Sequence, residues 1–379
     1  MTSSIYLDNA ATTRLDGEVL EAMLPYMVEH YGNPSSTHKG GRHSKIAIET
    51  ARKTVAQLLG AKPDSIYFTS GGTESNNTAI GAAIRDLGCN YIITSAIEHH
   101  AVLHTVEYFS RTYKLPLVYV QLTPEGEVDF KDLTLQLSLA EERGYKPLVS
   151  LMHANNEIGS LLDVKRVSDL CKDHKAIFHS DCVQTVGHYP LNLSELGVDF
   201  VSGAGHKFHG PKGVGILYVA PSIRIKPLIH GGGQERALRA GTENVYGIVG
   251  FGKALERAMA CYEKESAYIR GLKTCMREKL VNTIPGIVFN GPENALYTVL
   301  SVGIPKTEDS DMLLLNLDLK GICVSGGSAC SSGKGGSHVM DALNRSADYT
   351  TLRFSFSKYN THEEVDQVID ALKTALNNH

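Results

Sequence analysis

The sequence predicts an α/β protein: a large domain with a mostly parallel sheet flanked by helices, and a smaller α+β domain. Two observations lead there. From about residue 50 to 220, short β-branched or apolar runs alternate with amphipathic stretches; beyond residue 255 helices and strands follow in mixed order. Strands that alternate with helices of such length build a parallel sheet covered on both faces. In chain order the predicted strands are 65–69, 91–94, 117–120, 148–152, 176–178, 200–201 and 215–219. Between them, helical patterns cover 73–86, 101–111, 129–141 and 163–173. A long polar helical stretch from Tyr246 to Asn282 then ends at Pro285-Gly286. A strand at 297–302, a helix at 309–319, a Gly/Ser loop at 325–337, a strand at 351–355 and a last helix from His362 complete the pattern. The expected division is a large domain over 15–255, and a small domain formed by 1–14 with 256–379. Ligands of such sheets bind at the carboxyl ends of the strands.

Composition narrows the classes. The chain has 379 residues, 42% hydrophobic and 21% charged, so a packed core is expected rather than disorder. With 37 basic and 41 acidic residues the net charge is −4, and no Lys/Arg tract offers a surface for direct nucleic-acid binding. No apolar run approaches the ~18–20 residues that span a bilayer, and the N-terminus lacks the pattern of a signal peptide. The seven Cys are scattered without a C-x-x-C pair, which fits reduced thiols in a cytoplasmic protein. His99, His100 and His104 invite a metal reading, but no carboxylate or Cys pattern accompanies them, and no metal is expected.

Four segments carry chemistry. In Phe68-Thr-Ser-Gly-Gly-Thr-Glu-Ser-Asn76 a strand runs through glycines into a helix, leaving backbone N–H groups and the Thr73 hydroxyl free for a phosphate; an ordinary helix cap reads the same way. In His179-Ser-Asp-Cys-Val-Gln-Thr185 an aspartate follows a buried strand, where it needs a partner. Asp181 either caps a helix or pairs with a protonated ring nitrogen. In Ser202-Gly-Ala-Gly-His-Lys-Phe-His-Gly-Pro-Lys-Gly-Val-Gly215 a lysine stands among glycines at a strand end, where desolvation favours a nucleophilic amine. Lys207 is the candidate, since Lys212 reads as part of a turn. In Val324-Ser-Gly-Gly-Ser-Ala-Cys-Ser-Ser-Gly-Lys-Gly-Gly-Ser337 a cysteine sits in a Gly/Ser loop, where packing does not explain it and Lys334 favours its thiolate. Beyond these, the Gly/Arg-rich stretch 231–244 suits anions, and Arg353 lies within a strand, where it needs an acidic partner or a carboxylate ligand.

Together these residues resemble fold-type I pyridoxal-phosphate enzymes, and specifically cysteine desulfurases of the NifS/IscS type. The resemblance runs the length of the chain: Tyr6-Leu-Asp-Asn-Ala-Ala-Thr-Thr13, Gly32-Asn-Pro-Ser-Ser36, Glu98-His99, Asn155-Asn-Glu-Ile-Gly159, Gly205-His-Lys207, Ser325-Gly-Gly-Ser-Ala-Cys-Ser331 and Arg353-Phe-Ser355. It implies that Lys207 holds pyridoxal 5'-phosphate as a Schiff base and moves the substrate's α-proton, with His99 stacked on the ring. Asp181 would pair with the ring nitrogen, and Gln184 and Asn155 would bond the ring oxygen or its neighbours. Gly72, Thr73 and His206 would hold the phosphate, with Thr242 reaching in from the second subunit of a homodimer. Arg353, helped by Asn155, would grip the carboxylate of L-cysteine, and Cys330 would take its sulfur as a persulfide.

Departures from the family pattern touch the details. Many relatives carry a phosphate-binding Ser three residues before the lysine; here that position is Ala204, and Ser202 is the substitute the resemblance suggests. Cys182, beside Asp181, reads as packing, with a second reactive thiol as the alternative. The sulfur acceptor, an iron–sulfur scaffold or a tRNA-thiolation enzyme, is left open. Competing readings are a selenocysteine lyase, another class-V aminotransferase or lyase, and a catalytically silent sulfur-transfer partner. The joint presence of Lys207, His99, Asp181 and Cys330 argues against the last.

Overall fold

A computed structural model describes residues 4–306, 312–326, 337–345 and 348–376. After a short strand β1 (Ile5–Tyr6), seven strands form the main sheet: β2 (Ile66–Thr69), β3 (Tyr91–Thr94), β4 (Leu117–Tyr119), β5 (Pro147–Ser150), β6 (Ile177–Asp181), β7 (Phe200–Ala204) and β8 (Gly215–Val219). Their order is β2-β8-β7-β6-β5-β3-β4. Only β8 runs against the rest, pairing antiparallel with both β2 and β7. The expected mostly parallel α/β sheet is what forms.

Side-chain alternation explains why the sheet is buried twice over. Tyr91, Ile93, Val149, Phe178, Val201 and Ile216 face one apolar cluster, and their chain neighbours Ile92, Leu148, Ile177, Phe200 and Leu217 face another. The first cluster is covered by helices Gly17–Val28, Lys39–Leu58, Phe130–Glu142, Val164–Asp173 and Val245–Ala260. The second is covered by Gly72–Arg85 and His100–Tyr113.

A separate apolar cluster lies under smaller sheets. β9 (Val288–Asn290), β10 (Val299–Pro305) and β12 (Tyr349–Ser355) form an antiparallel sheet centred on β10, while β11 (Ile322–Cys323) pairs parallel with β1. Ile5 and Leu7 join this cluster, and helices Tyr262–Thr283 and His362–Leu376 close it. The single helix expected from Tyr246 to Asn282 is therefore two. Val245–Ala260 buries Ile248, Phe251 and Leu255 in the first cluster, and Tyr262–Thr283 buries Leu272, Met276 and Leu280 in the other. The backbone turns between them at Cys261 (φ −105°, ψ 3°), because one straight helix cannot present its apolar face to both cores. Among the described residues no helix is long and apolar enough to cross a membrane.

One buried ion pair fixes the loop that follows β8. Arg52 and Glu235, each side chain 2% exposed, bond bidentately at 2.8 and 2.7 Å. Glu235 also accepts from the Phe68 N–H at 2.8 Å, and Arg52 donates to the Ile66 carbonyl at 2.8 Å. The pair holds three successive non-glycine residues in the left-handed region: Glu235 (φ 45°), Arg236 (φ 57°) and Ala237 (φ 64°). Glu235→Ala would take the bidentate carboxylate from buried Arg52, leaving it Glu49 at 3.1 Å and the Ile66 carbonyl, and would leave the Phe68 N–H unpaired, so a loss of about 3 kcal/mol is expected in chemical denaturation. A loss below about 1 kcal/mol would mean that Glu49 and the carbonyl suffice for the charge.

Candidate active site

Because β8 alone is reversed, the segments leaving β2, β3, β5, β6 and β7 emerge along one edge of the sheet. They wall a cavity of about 250 Å³. β2 leads to Gly72 and Thr73, β3 to His99, and β5 to Met152, Ala154 and Asn156. β6 supplies Asp181 and then Gln184, and β7 supplies Ala204, His206 and Lys207; Ala10, Ala11 and Arg353 close the far side.

Lys207 stands in a one-turn 3₁₀ segment after β7, where Gly205 lets the chain turn against Phe251 and the Pro211 carbonyl. Its Nζ donates to the carbonyls of Ala10 (2.6 Å) and Ala11 (2.9 Å). Gln184 Nε2 donates to the same Ala10 carbonyl at 3.0 Å. The backbone N–H and hydroxyl of Thr13 both donate to the His206 carbonyl at 2.9 Å, and His206 Nδ1 meets the Thr12 hydroxyl at 3.1 Å. The N-terminal segment is thus strapped across the lysine. Burial, with Lys207 and Lys212 near, pulls the His206 imidazole down to about 4.

Asp181 ends β6 and is buried. Its Oδ1 accepts from the Val183 N–H at 2.9 Å, and its Oδ2 accepts from Asn76 Nδ2 at 2.6 Å. One oxygen of this aspartate thus caps the turn that follows β6, and the residue lines the cavity. His99 caps helix His100–Tyr113, its Nδ1 accepting from the Ala101 N–H at 3.0 Å. That leaves Nε2 as the ring nitrogen that carries a proton. Burial lowers the His99 pKa against the opposing pull of Asp181. Arg353, 1% exposed, donates from Nη2 to Asp8 (2.7 Å) and from Nη1 to the Asn156 carbonyl (2.9 Å), while its buried Nε has no partner among the described residues.

Several expected residues stand elsewhere. The Asn155 amide is committed to its own loop: Nδ2 donates to the Ile97 carbonyl at 2.8 Å, and Oδ1 accepts from Glu157 and Ile158 N–H at 2.8 and 2.9 Å. Asn156 lines the cavity in its place. Ser202 lies two residues before Ala204 on the same face of β7, about 6.6 Å deeper, and its hydroxyl pairs with His179 Nε2 at 3.2 Å. It does not reach the cavity as a substitute for the missing hydroxyl at Ala204. Thr242 is exposed and lines no part of this chain's cavity. Cys330 lies outside the described residues. Cys182 is buried, its thiol pushed up to about 12 by burial, which fits packing and not a second reactive thiol. His100 stacks on His104 at 5.0 Å, and among the described residues no three His, Cys, Asp or Glu side chains converge as metal ligands. Two contributors escaped the sequence reading. Asn156 is one position along the Asn-Asn pair, and Asn76, quoted only as part of a cap, lies one turn into helix Gly72–Arg85 on the face toward β6.

The pyridoxal phosphate that the fold family implies fits these residues. No side chain caps the N-terminus of helix Gly72–Arg85, so its first N–H groups open on the cavity. At Gly72 a Cβ would stand 2.5 Å from Val183 Cγ2, so that the backbone makes a close approach which only glycine allows. The unpaired Nε of buried Arg353 awaits an acceptor, as a substrate carboxylate would supply. Gly72→Ala should push the helix N-terminus off the cavity and weaken cofactor affinity about tenfold or more, read by absorbance titration; unchanged affinity would place the phosphate elsewhere.

Residues 5–368 match the family model described as aminotransferase class-V. A cysteine desulfurase IscS from Dictyoglomus turgidum is 44% identical over 99% of this chain and 95% of its own length. A solved NifS-like protein superposes with a TM-score of 0.90 at 39% identity, covering 98% of this chain and 99% of its own. A structure described as SspA in complex with cysteine gives a TM-score of 0.80 at 32% identity, covering 94% of this chain and 100% of its own.

Burial holds five imidazoles near 4: His153, His179, His188, His206 and His209. Each takes up a proton near 6.5 when the chain unfolds, so between about 6.5 and 4 the unfolded state binds more protons and stability falls with falling pH. Glu98, raised to about 8, and Glu157 and Asp199, also raised by burial, work the other way, but the five rings outnumber them and His99 and His100 are lowered too. Denaturation midpoints should therefore drop steeply from pH 6.5 to 4.5, and a flat profile would contradict neutral burial of these rings.

Proposed function

The chain belongs to the class-V aminotransferase family, and on that premise we propose that it is a pyridoxal-phosphate-dependent cysteine desulfurase, which converts L-cysteine to L-alanine and passes the sulfur to an acceptor. One observation carries the reading. A lysine at a strand end and a buried arginine with an unpaired Nε face the same cavity, one suited to a carbonyl carbon and the other to a carboxylate.

When bound, pyridoxal phosphate supplies a carbonyl that takes amines and a ring that accepts the electrons released at the α-carbon. Lys207 would hold its carbonyl carbon, Gly72, Thr73 and His206 its phosphate, and Asp181 its ring nitrogen, while Gln184 and His99 would serve the ring. Arg353 orients L-cysteine by its carboxylate, with Asn156 beside it. Lys207 Nζ then carries the α-proton. The Cys330 thiolate attacks the substrate sulfur: an S–S bond forms, the carbon–sulfur bond breaks, and its electron pair stays with the carbon. Protonation of that carbon, with His99 Nε2–H at hand, and return of the α-proton from Lys207 Nζ to the α-carbon give alanine and leave Cys330 as the persulfide.

A homodimer accords with the apolar side chains left exposed on helix Gly17–Val28, where Leu20, Leu24, Met27 and Val28 share one side and Tyr31 follows. In that assembly Thr242 reaches the partner's phosphate site. The acceptor is an iron–sulfur scaffold or a tRNA-thiolation enzyme, and a reducing cytoplasm suits a persulfide carrier with scattered thiols. The division into 15–255 and 1–14 with 256–379 accords with the separate apolar clusters.

Incubation with L-cysteine and a thiol reductant should yield alanine catalytically. Cys330→Ala should keep the cofactor absorbance and lose alanine formation by about a hundredfold or more, while Lys207→Ala should lose the bound-cofactor band. A keto acid in place of alanine would favour an aminotransferase and reject the proposal.

A further inference from the structure

Outside the residues given roles above, two buried carboxyl groups stand next to cavity-lining residues: Glu98 before His99 and Glu157 after Asn156. Each keeps one oxygen without a partner among the described residues, Oε2 of Glu98 and Oε1 of Glu157. Glu98 Oε1 accepts from the Ser95 hydroxyl and the Met152 N–H at 2.8 and 3.0 Å, whereas the Glu157 side chain and the Glu98 backbone carbonyl hold the chain just beyond the Cys330 segment. Glu157 Oε2 accepts from the hydroxyl of buried Ser337. The same hydroxyl accepts from the Met340 N–H at 3.1 Å, so its proton and a lone pair are both directed. The next residue, His338, donates from Nε2 to the Glu98 carbonyl at 2.9 Å. Ahead of the segment, Ser325 and Arg353 exchange backbone hydrogen bonds at 2.7 and 3.3 Å. The flanks of 325–337 are thus fastened to Arg353, which lines the cavity, and to Glu157 and Glu98, whose neighbours do.

We propose that Glu157 is a positioning residue, which acts through Ser337 to fix where the chain carrying Cys330 rejoins the body of the protein beside the substrate cavity. The proposal deepens the desulfurase reading and rests on it. Chain geometry gives the fastening its effect. Cys330 is five residues from Ser325 and seven from Ser337, so it reaches at most about 18 Å from the first anchor and about 25 Å from the second. A chain tied at both ends can present a thiolate only within the overlap of those ranges, and losing one tie widens that reach and lowers the effective concentration at the substrate. An acidic side chain suits the task, because a carboxylate receives the Ser337 proton more strongly than an amide oxygen does and needs no donor of its own.

The test compares Glu157→Ala, Glu157→Gln, Ser337→Ala and the double alanine variant, each loaded with cofactor and checked for the same absorbance band as the wild type. We expect each single alanine variant to lower kcat for alanine formation about tenfold with KM for L-cysteine within about twofold, since delivery of the thiolate and not substrate binding is affected. The double variant should be no slower than either single one, and Glu157→Gln, which still accepts from Ser337, should recover at least about half of the wild-type rate. Wild-type kcat in Glu157→Ala, multiplicative losses in the double variant, or a raised KM at unchanged kcat would each overturn the proposal. Should Glu157→Ala fail to take up cofactor, Ser337→Ala against Ser337→Thr, which keeps the hydroxyl, decides by the same rates. A wild type that makes no alanine would defeat the desulfurase reading instead. Hydrogen exchange at the 337–342 amides of Glu157→Ala would then judge the fastening: faster exchange supports it, and unchanged exchange overturns it.

Discussion

A guanidinium cannot be buried without partners, and Arg353 is almost fully buried. Its partners come from unconnected parts of the chain: the Asp8 carboxylate from the N-terminal segment and the Asn156 carbonyl from the loop after β5. Its backbone pairs with Ser325 on one side and Ser301 on the other. The hydrogen-bond demand of one side chain therefore ties the N-terminal segment, the small sheet and the edge of the main sheet to a single point. The cavity opens where those three meet, and the remaining Nε belongs to whatever enters it.

The electrostatics of the site follow from burial. His206 is held neutral, and His99 is pulled the same way, so the positive charges facing the cavity come from Lys207 and Arg353, with Asp181 opposing them. A phosphate and an amino-acid carboxylate are both anions, and each has its own cation or helix terminus to approach. Neutral rings can lie against a heterocycle without adding charge that would compete for either anion.

Much of this was legible in the sequence, because a buried parallel strand and the glycine-flanked turn after it leave strong local patterns. The strands and helices from residue 65 to 219 fell where the alternation put them, and the three chemical segments at 68–76, 179–185 and 202–215 converged because they share strand ends. Other elements left weak signals for physical reasons. Helix Lys39–Leu58 buries small residues such as Ala47, Ala51 and Ala56, which make little hydrophobic contrast, and helix Gly17–Val28 contains Pro25 and exposes several large apolar side chains. The break at Cys261 depends on which core each half meets, which is a tertiary fact. Choosing between Asn155 and Asn156 needs the direction of each side chain in an irregular loop, and rejecting Ser202 needs its depth along β7. Residue type and spacing carry neither.

The straps over Lys207 also set an order of events. The residues that hold its ammonium belong to a segment made at the start of synthesis, yet β1 pairs with Ile322–Cys323 and Asp8 with Ser355, made near the end. At ~5–20 residues per second a ribosome needs roughly 17–70 s to travel from the one to the other. Throughout that interval the main sheet can form, but the floor of its cavity is absent and the first strand has no neighbour. Cofactor capture thus becomes a step that follows completion of the chain, and a prematurely terminated product carries an unpaired strand instead of a partly working enzyme.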